Sequence, residues 1–354
     1  MISKYLKIPS LIGPNTFDLG HFRNRLQLVR DYAERTTVTR GFPTIVEFEV
    51  SSRCNMSCVM CPRENVNVEQ HMDLDLYKRC VDQIAGRAEM VILHASGEPL
   101  LHPDICEMIR YCSDRGVGTW LSTNAMLLDE KRSIELMESG LDSLVIAIDG
   151  DTKETYERIR VHGVFETVVA NAERFLKLRR QRKSNIMATV QFIEMEENRQ
   201  EADAFLARWG RYEDVNVFVK AIVNWFTDDS DLVPHPEFSE VGNSLRYPDL
   251  VCDRPWFWMI VKSTGLVPLC AHDIPPDYVI GDANMQSLDD IWNSEQMRSY
   301  REMVAKGKPY HPLCKSCDYC PARPHTTTGN LALASLDMLS VAKILFSVGY
   351  KKVG

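Results

Sequence analysis

Cys54, Cys58 and Cys61 stand in the run Arg53-Cys54-Asn55-Met56-Ser57-Cys58-Val59-Met60-Cys61-Pro62, a C-x3-C-x2-C spacing closed by a proline. Thiolates bind metal, and three of them this close suit one face of an iron–sulfur cube. A cube has four irons, so three cysteines leave one iron without a protein ligand, where a cofactor or substrate can bind metal directly. Zinc is the competing occupant. It normally takes four ligands, and the nearest further donor is His71, ten residues beyond Cys61.

A second group follows late in the chain: Cys252, Cys270, Cys314, Cys317 and Cys320. Four such thiolates would complete a closed cube, and C-x2-C pairs equally suit a structural four-cysteine zinc site; taken alone, the two readings are even. The remaining three of the eleven cysteines, Cys80, Cys106 and Cys112, fall in helical patterns and read as buried structural thiols. The first twenty residues lack a continuous apolar core with a cleavage site, so no secretory signal is expected. A disulfide framework does not suit such a chain, and metal binding in a reducing cytoplasm is the expectation.

Composition sets the remaining bounds. Hydrophobic residues make up 45% and charged residues 25%, ordinary for a globular protein that buries a sizeable core. The net charge is −8 with no Lys/Arg-rich block, which argues against a nucleic-acid partner. A chain of 354 residues implies one large domain plus a smaller one, or a barrel with an appendage.

The elements that must position the cysteines alternate regularly. Apolar, β-rich runs occur at Thr44–Val50, Met90–Ala95, Gly118–Leu121, Ser143–Ile148, Met187–Ile193 and Val215–Ala221. Helical patterns lie between them: Asp104–Arg115, with Ile105, Met108, Ile109 and Cys112 on one face; Asp129–Ser139, stopped by Gly140; Thr167–Arg180; and Arg199–Trp209. Six strand–helix units imply an α/β fold with a parallel sheet, and six are fewer than the eight of a closed barrel. In such sheets the site lies at the carboxyl ends of the strands, where the Cys54–Cys61 loop falls. The expected organisation is an N-terminal extension over 1–42, with a polar helix near His21–Arg35, and a partial barrel over 43–235. A cysteine-rich domain over 251–325, with a helix near Leu288–Val304, and an apolar tail helix over 326–354 complete it. Asp337 and Lys343 argue against a spanning tail, leaving a docked helix or a membrane-surface contact.

Three further segments follow predicted strands: Ser96-Gly97-Glu98-Pro99-Leu100, Ser122-Thr123-Asn124 and Ile148-Asp149-Gly150. Together with the cysteine run they resemble the radical S-adenosylmethionine (SAM) enzymes, whose C-x3-C-x2-C motif follows the first strand of a partial (β/α)6 barrel. The resemblance implies that Cys54, Cys58 and Cys61 hold a 4Fe–4S cluster whose open iron is chelated by SAM. It assigns cofactor contacts to Met60, Gly97, Glu98, Pro99, Ser122, Asn124 and Asp149. Met60 stands where the family often has an aromatic residue, and Ser96 replaces the first glycine of a Gly-Gly-Glu-Pro segment. The glycine-rich pattern of the fifth strand is missing from Ala188–Glu196, where Gln191 or Glu194 is the candidate replacement.

The late cysteines, with Pro255-Trp256, Gly265, Gly281-Asp282, Ser287-Leu288 and Ile291-Trp292, resemble the SPASM/twitch extension of the same superfamily. The twitch pattern implies one auxiliary 4Fe–4S cluster on Cys252, Cys270, Cys314 and Cys317, with Cys320 spare or exchanging with a neighbour. His272 and Asp273, beside Cys270, are candidates for a catalytic base; the competing reading is that they shape the cluster loop. What the resemblance implies is an oxidoreductase-type enzyme acting on a small polar metabolite such as a sugar, aminocyclitol or nucleoside. A low-potential donor such as flavodoxin or ferredoxin would supply its electrons. Modification of a peptide is the second reading, and a non-catalytic iron–sulfur or zinc protein the third.

Overall fold

The computed structural model describes residues 19–62, 69–221, 251–274, 276–306 and 311–315. All six β-rich runs are strands, named here with the shorter ones in chain order. They are β1 (Ile45–Phe48), β2 (Ser57–Cys58), β3 (Met90–Ile92), β4 (Gly118–Thr123), β5 (Ser143–Ala147), β6 (Arg160–Val161), β7 (Met187–Glu194), β8 (Asn216–Ala221), β9 (Trp258–Val261), β10 (Leu266–Pro268) and β11 (Val279–Asp282). The main sheet runs β8-β7-β5-β4-β3-β1-β9, and each neighbouring pair is parallel. Six of its strands are the expected units. The seventh, β9, comes from the late cysteine-rich segment and pairs Ile45 with Trp258 through Phe48 with Val261.

The crossover helices are α2 (Leu74–Ile84), α3 (Ile105–Ser113), α4 (Glu130–Glu138), α5 (Lys153–Ile159), α6 (Phe165–Gln181) and α7 (Ala202–Gly210), preceded by α1 (Leu19–Ala33). The predicted face of α3 is buried throughout: Ile105, Met108, Ile109 and Cys112 are each 0% exposed. Asp73 caps α2 by accepting from the Leu76 amide, and Asp129 caps α4 by accepting from Arg132, satisfying N–H groups with no intrahelical partner. Gly140 ends α4 at φ +85°, a conformation that a side chain disfavours. The helix expected over Leu288–Val304 is two helices, Leu288–Trp292 and Glu295–Ala305. Ser294 breaks it because its hydroxyl accepts from the Met297 amide and starts the second helix.

Sheet alternation separates a helix-facing side from a lumen. Along β7, Ala188, Val190 and Phe192 are buried, and the Phe192 ring meets Phe205 of α7 at 4.9 Å. Thr189, Gln191 and Ile193 take the opposite face. Ile45, Met90 and Ile92, with Trp120 and Trp258 against them, form an apolar cluster on that lumen side.

Segment 36–42 and the late helices lock the auxiliary segment to the barrel. Arg301, 0% exposed, donates to the carbonyls of Pro255, Thr37 and Trp292. Trp256 Nε1 donates to Thr36 O at 3.0 Å, and Asp31 accepts from the Arg40 and Gly41 amides. The expected tail helix over 326–354, the bridge at 222–250 and the first eighteen residues lie outside the described residues.

Candidate functional site

β1 delivers the chain to the sheet's carboxyl edge, and the cysteine loop starts there. The loop is tied back on itself: Ser52 N donates to Gln70 O, Met72 N to Val50 O, and Cys61 N to Cys58 O. Met56, 2% exposed, anchors it in the core. A two-stranded antiparallel ribbon adds rigidity, pairing Ser57 with Val161 and Cys58 with Arg160. Cys54, Cys58 and Cys61 are all half-buried.

Every neighbouring strand end contributes to this loop. After β3, Glu98 N donates to Arg53 O at 2.8 Å. A Cβ at Gly97 would meet Ser51 O at 2.3 Å and Arg53 O at 2.5 Å, so only glycine permits this approach. The Glu98 carboxylate accepts from Leu100 N at 3.0 Å, Thr123 Oγ1 at 2.7 Å and Asn124 N at 2.8 Å. It is 2% exposed, and burial holds its pKa above the usual range although these donors pull the other way. Its oxygens thus join the end of β3 to the end of β4. Pro99 opens the one-turn helix Pro99–Leu101. Ser96 Oγ accepts from Lys262 Nζ at 3.1 Å, and Lys262 also pairs with Glu49.

At the end of β4, Asn124 Nδ2 donates to Asn55 Oδ1 at 2.8 Å and reaches Cys54 Sγ at 4.0 Å. Asn171 of α6 donates to Ala125 O, fixing the turn behind it, where Ala125 has φ +62°. At the end of β5, Asp149 is 0% exposed and holds Arg160: Oδ2 accepts from Nε at 2.7 Å and Nη2 at 2.5 Å. Its Oδ1 accepts from the Ile193 amide at 2.7 Å. Arg160 Nη1 then lies 3.7 Å from Cys58 Sγ. Burial lowers the Arg160 pKa, but Asp149 and Cys58 outweigh it, so the guanidinium stays charged. Arg160 thus sets a fixed cation and an N–H donor beside Cys58 Sγ, where a cluster-ligating sulfur would accept it.

Met60 is 6% exposed, packed against Ile159 and Met195 beside Cys58 and Ile193, so its side chain forms part of the wall. Ser122 N donates to His94 Nδ1 at 3.1 Å, and Ser122 itself is half-buried on the lumen face of β4. Gln191 lies on the lumen face of β7, whereas Glu194 is 5% exposed with Oε2 lacking a partner among the described residues.

Sequence reasoning missed Arg160, Asn55, His94 and Lys262. Asn55 lay inside the motif itself. The others carry no spacing signal, because each comes from a different strand and meets the site only in three dimensions.

The auxiliary cysteines converge around one phenol. Tyr300, 3% exposed, approaches Cys314 Sγ at 3.4 Å. Burial first, then the neighbouring Cys270, Cys252 and Cys314 thiols, push the phenol well above its ordinary pKa. Cys317 and Cys320 lie outside the described residues. Asp273 N donates to Cys270 O at 3.0 Å, while its carboxylate accepts from the Asp277 and Tyr278 amides at 3.1 and 2.8 Å. Both Asp273 oxygens therefore shape the turn after Cys270, with His272 half-buried beside it.

Among the described residues, no three Cys, His, Asp or Glu side chains converge closely enough for a single metal ion. A cube asks something different, since each thiol binds its own iron at a separate corner. Three half-buried thiols on a tied loop, with N–H groups near Cys54 and Cys58, fit that demand.

A family model for the Radical SAM superfamily matches residues 48–206, and one for an iron–sulfur cluster-binding domain, SPASM, matches residues 252–318. The chain carries a radical SAM domain followed by a SPASM-type iron–sulfur domain. Its cofactors are accordingly a 4Fe–4S cluster, SAM and auxiliary iron–sulfur.

An AdoMet-dependent heme synthase of Methanosarcina barkeri is 31% identical over 134 residues, covering 37% of this chain and 38% of that protein. The chain thus spans well under half the length of that relative. A PqqA peptide cyclase of Gluconobacter oxydans is 25% identical over 320 residues, covering 80% of this chain and 87% of that one. Among solved structures, Streptococcus suis SuiB bound to S-adenosylmethionine has the same fold, with a TM-score of 0.63 at 14% identity. That match covers 83% of this chain and 74% of SuiB.

Proposed function

We propose that this protein is an enzyme that cleaves SAM reductively and abstracts a hydrogen atom from a small polar metabolite, such as a sugar, aminocyclitol or nucleoside. The observation that carries the reading is the close packing of Gly97 on the cysteine loop, with Asn124 and Arg160 reaching Cys54 and Cys58. Cys54, Cys58 and Cys61 would hold the SAM-binding cluster. Cys252, Cys270, Cys314 and Cys317 would hold an auxiliary one. When bound, the first cluster supplies the low-potential electron that splits SAM into methionine and a 5′-deoxyadenosyl radical.

The protein's own residues do the positioning. Gly97 brings backbone against the loop, setting the Ser96–Glu98 segment beside the cysteine run that would hold the cluster. Glu98, tied to Thr123 and Asn124, holds the ends of β3 and β4 at a fixed spacing. Asp149 orients Arg160, which supplies positive charge beside Cys58. Met60, Ile159 and Met195 pack as an apolar wall beside Cys58.

Anaerobic reconstitution followed by dithionite and SAM tests the proposal, with about eight irons per chain and release of 5′-deoxyadenosine expected. The release should vanish in Cys58→Ala; 5′-deoxyadenosine formation persisting in that variant would overturn the assignment. The likeness to a peptide cyclase across 320 residues favours a second reading, in which the substrate is a peptide. Zinc near one per chain with no SAM cleavage would instead return the protein to a non-catalytic role.

A further inference from the structure

Lys262 and Ser263 follow β9, in the turn that leads to β10. The turn is held by its own backbone: Gly265 N donates to Lys262 O and Lys262 N to Leu266 O, both at 2.8 Å. Gly265 takes φ +90°, and Asn284 Nδ2 donates to Thr264 O at 2.9 Å. The turn is also tied to the chain on either side of the cysteine run. Glu49 N donates to Val261 O at 3.0 Å, and Gln70 Nε2 donates to Ser263 O at 2.8 Å. Gln70 is the residue whose carbonyl accepts from Ser52 N, just ahead of Cys54.

From this turn the Lys262 side chain crosses to the end of β3. Its ammonium forms an ion pair with Glu49 and donates to Ser96 Oγ at 3.1 Å. Ser263 fills the other carboxylate oxygen, donating to Glu49 Oε2 from its amide at 3.2 Å and from its hydroxyl at 3.0 Å. Lys262, Glu49 and Ser96 are 5%, 2% and 7% exposed, so solvent competes little for these bonds. A buried ion pair adds little stability over an apolar pair of the same volume, but its bonds are directional. What this one fixes is the place of Ser96, the neighbour of Gly97, whose backbone packs against Ser51 O and Arg53 O.

We propose that Lys262 is a positioning residue for SAM. Through its ammonium the auxiliary segment holds Ser96, and with it the Gly97–Glu98 backbone, beside the cysteine run. The role rests on the proposed SAM chemistry and deepens it, because the edge of the barrel that would meet SAM then depends on a residue lying between Cys252 and Cys270 in the chain. Lys262 acts through Ser96 and touches neither SAM nor its cluster.

The test uses the reconstituted protein. Lys262→Met combined with Glu49→Gln removes both charges together, so neither is left buried alone, and Ser96→Ala removes only the accepting hydroxyl. SAM affinity, read by calorimetry, should fall about tenfold in the pair variant and severalfold in Ser96→Ala. All three substitutions together should be no worse than the pair variant, since both changes remove the same contact. The loss should appear in KM for SAM rather than in kcat at saturating SAM. Without SAM, hydrogen exchange at the Glu98 amide, which donates to Arg53 O, should quicken severalfold in both variants. Ser96→Ala leaves the ion pair in place and keeps the test decisive if near-ultraviolet circular dichroism shows the pair variant misfolded. Wild-type SAM affinity in the variants, losses that multiply when combined, or a loss of iron in place of SAM affinity each overturn the role. Unchanged exchange at Glu98 overturns it whether or not SAM affinity falls. A wild type that binds SAM but releases no 5′-deoxyadenosine sinks the radical reading alone, and the affinities still decide the role of Lys262. A wild type that binds no SAM sinks both.

Discussion

Cys54, Cys58 and Cys61 share one eight-residue stretch and take their surroundings from the ends of other strands. Cys252, Cys270 and Cys314 are far apart in the chain and gather around a single buried phenol, Tyr300. The first group lies at the mouth of a lumen lined by polar residues, among them Ser122 and Gln191. The second gathers within the auxiliary segment, and its three described cysteines are half-buried like those of the first. A local motif takes its neighbours from several strand ends, whereas a dispersed set is brought together only by the folding of its own segment. The difference suits one site to chemistry on a bound molecule and the other to holding a closed cluster.

Paired cysteine variants probe this contrast most strongly. Cys58→Ala should abolish 5′-deoxyadenosine release, whereas Cys270→Ala should lose about four irons yet still cleave SAM, as iron analysis and product chromatography would register. Equal loss of cleavage in both variants would erase the distinction. Gly97→Ala comes next, because the new Cβ must displace backbone oxygens at 2.3 and 2.5 Å. A shift of that size costs on the order of 100-fold in SAM cleavage, measurable under saturating SAM.

Arg160→Met should leave Asp149 buried without its cation, lowering stability by about 3 kcal/mol in urea titrations. The electron paramagnetic resonance spectrum of the reduced first cluster should change, and that of the auxiliary cluster should not. A smaller effect reads the seam between the two regions. Burial chiefly raises Glu47 to about 7, against the pull of Arg254 and of the Trp258 indole, which donates to Oε2 at 2.9 Å. Between pH 4.5 and 7 the folded protein retains a proton that the unfolded chain has lost, so this group's stabilisation declines as pH rises. Glu47→Gln should therefore gain on wild type by up to about 3 kcal/mol from pH 4.5 to 7. His94 titrates in both proteins and cancels in the comparison. A pH-independent difference would show that Glu47 is not buried as a neutral acid. Tyr300→Phe, the mildest change, should move the auxiliary cluster's reduction potential by tens of millivolts and leave the first cluster's signal unaltered.

Much of the barrel was legible because period-two strands and 3.6-period helices write their buried faces directly into the sequence. Met187–Glu194 and Ile105–Ser113 are clear cases. The ribbon between Cys58 and Arg160 was not, since two residues a side are too few to carry a period. Nor was the parallel pairing of Trp258–Val261 with β1, which joins segments more than 200 residues apart. Glu98 shows the same boundary within the site. Its place after the second major strand was apparent, but its three donors are chosen by how β3 and β4 adjoin.

By itself the sequence determined the alternating strand–helix order, the local thiol triad and the glycine beside it, because spacing along one chain fixes those directly. Tertiary structure alone decided that Arg160 reaches Cys58, that Asp149 orients Arg160, and that Lys262 reaches Ser96. Those relations depend on strand register and side-chain direction, and a one-residue slip in either would turn each group to the opposite face.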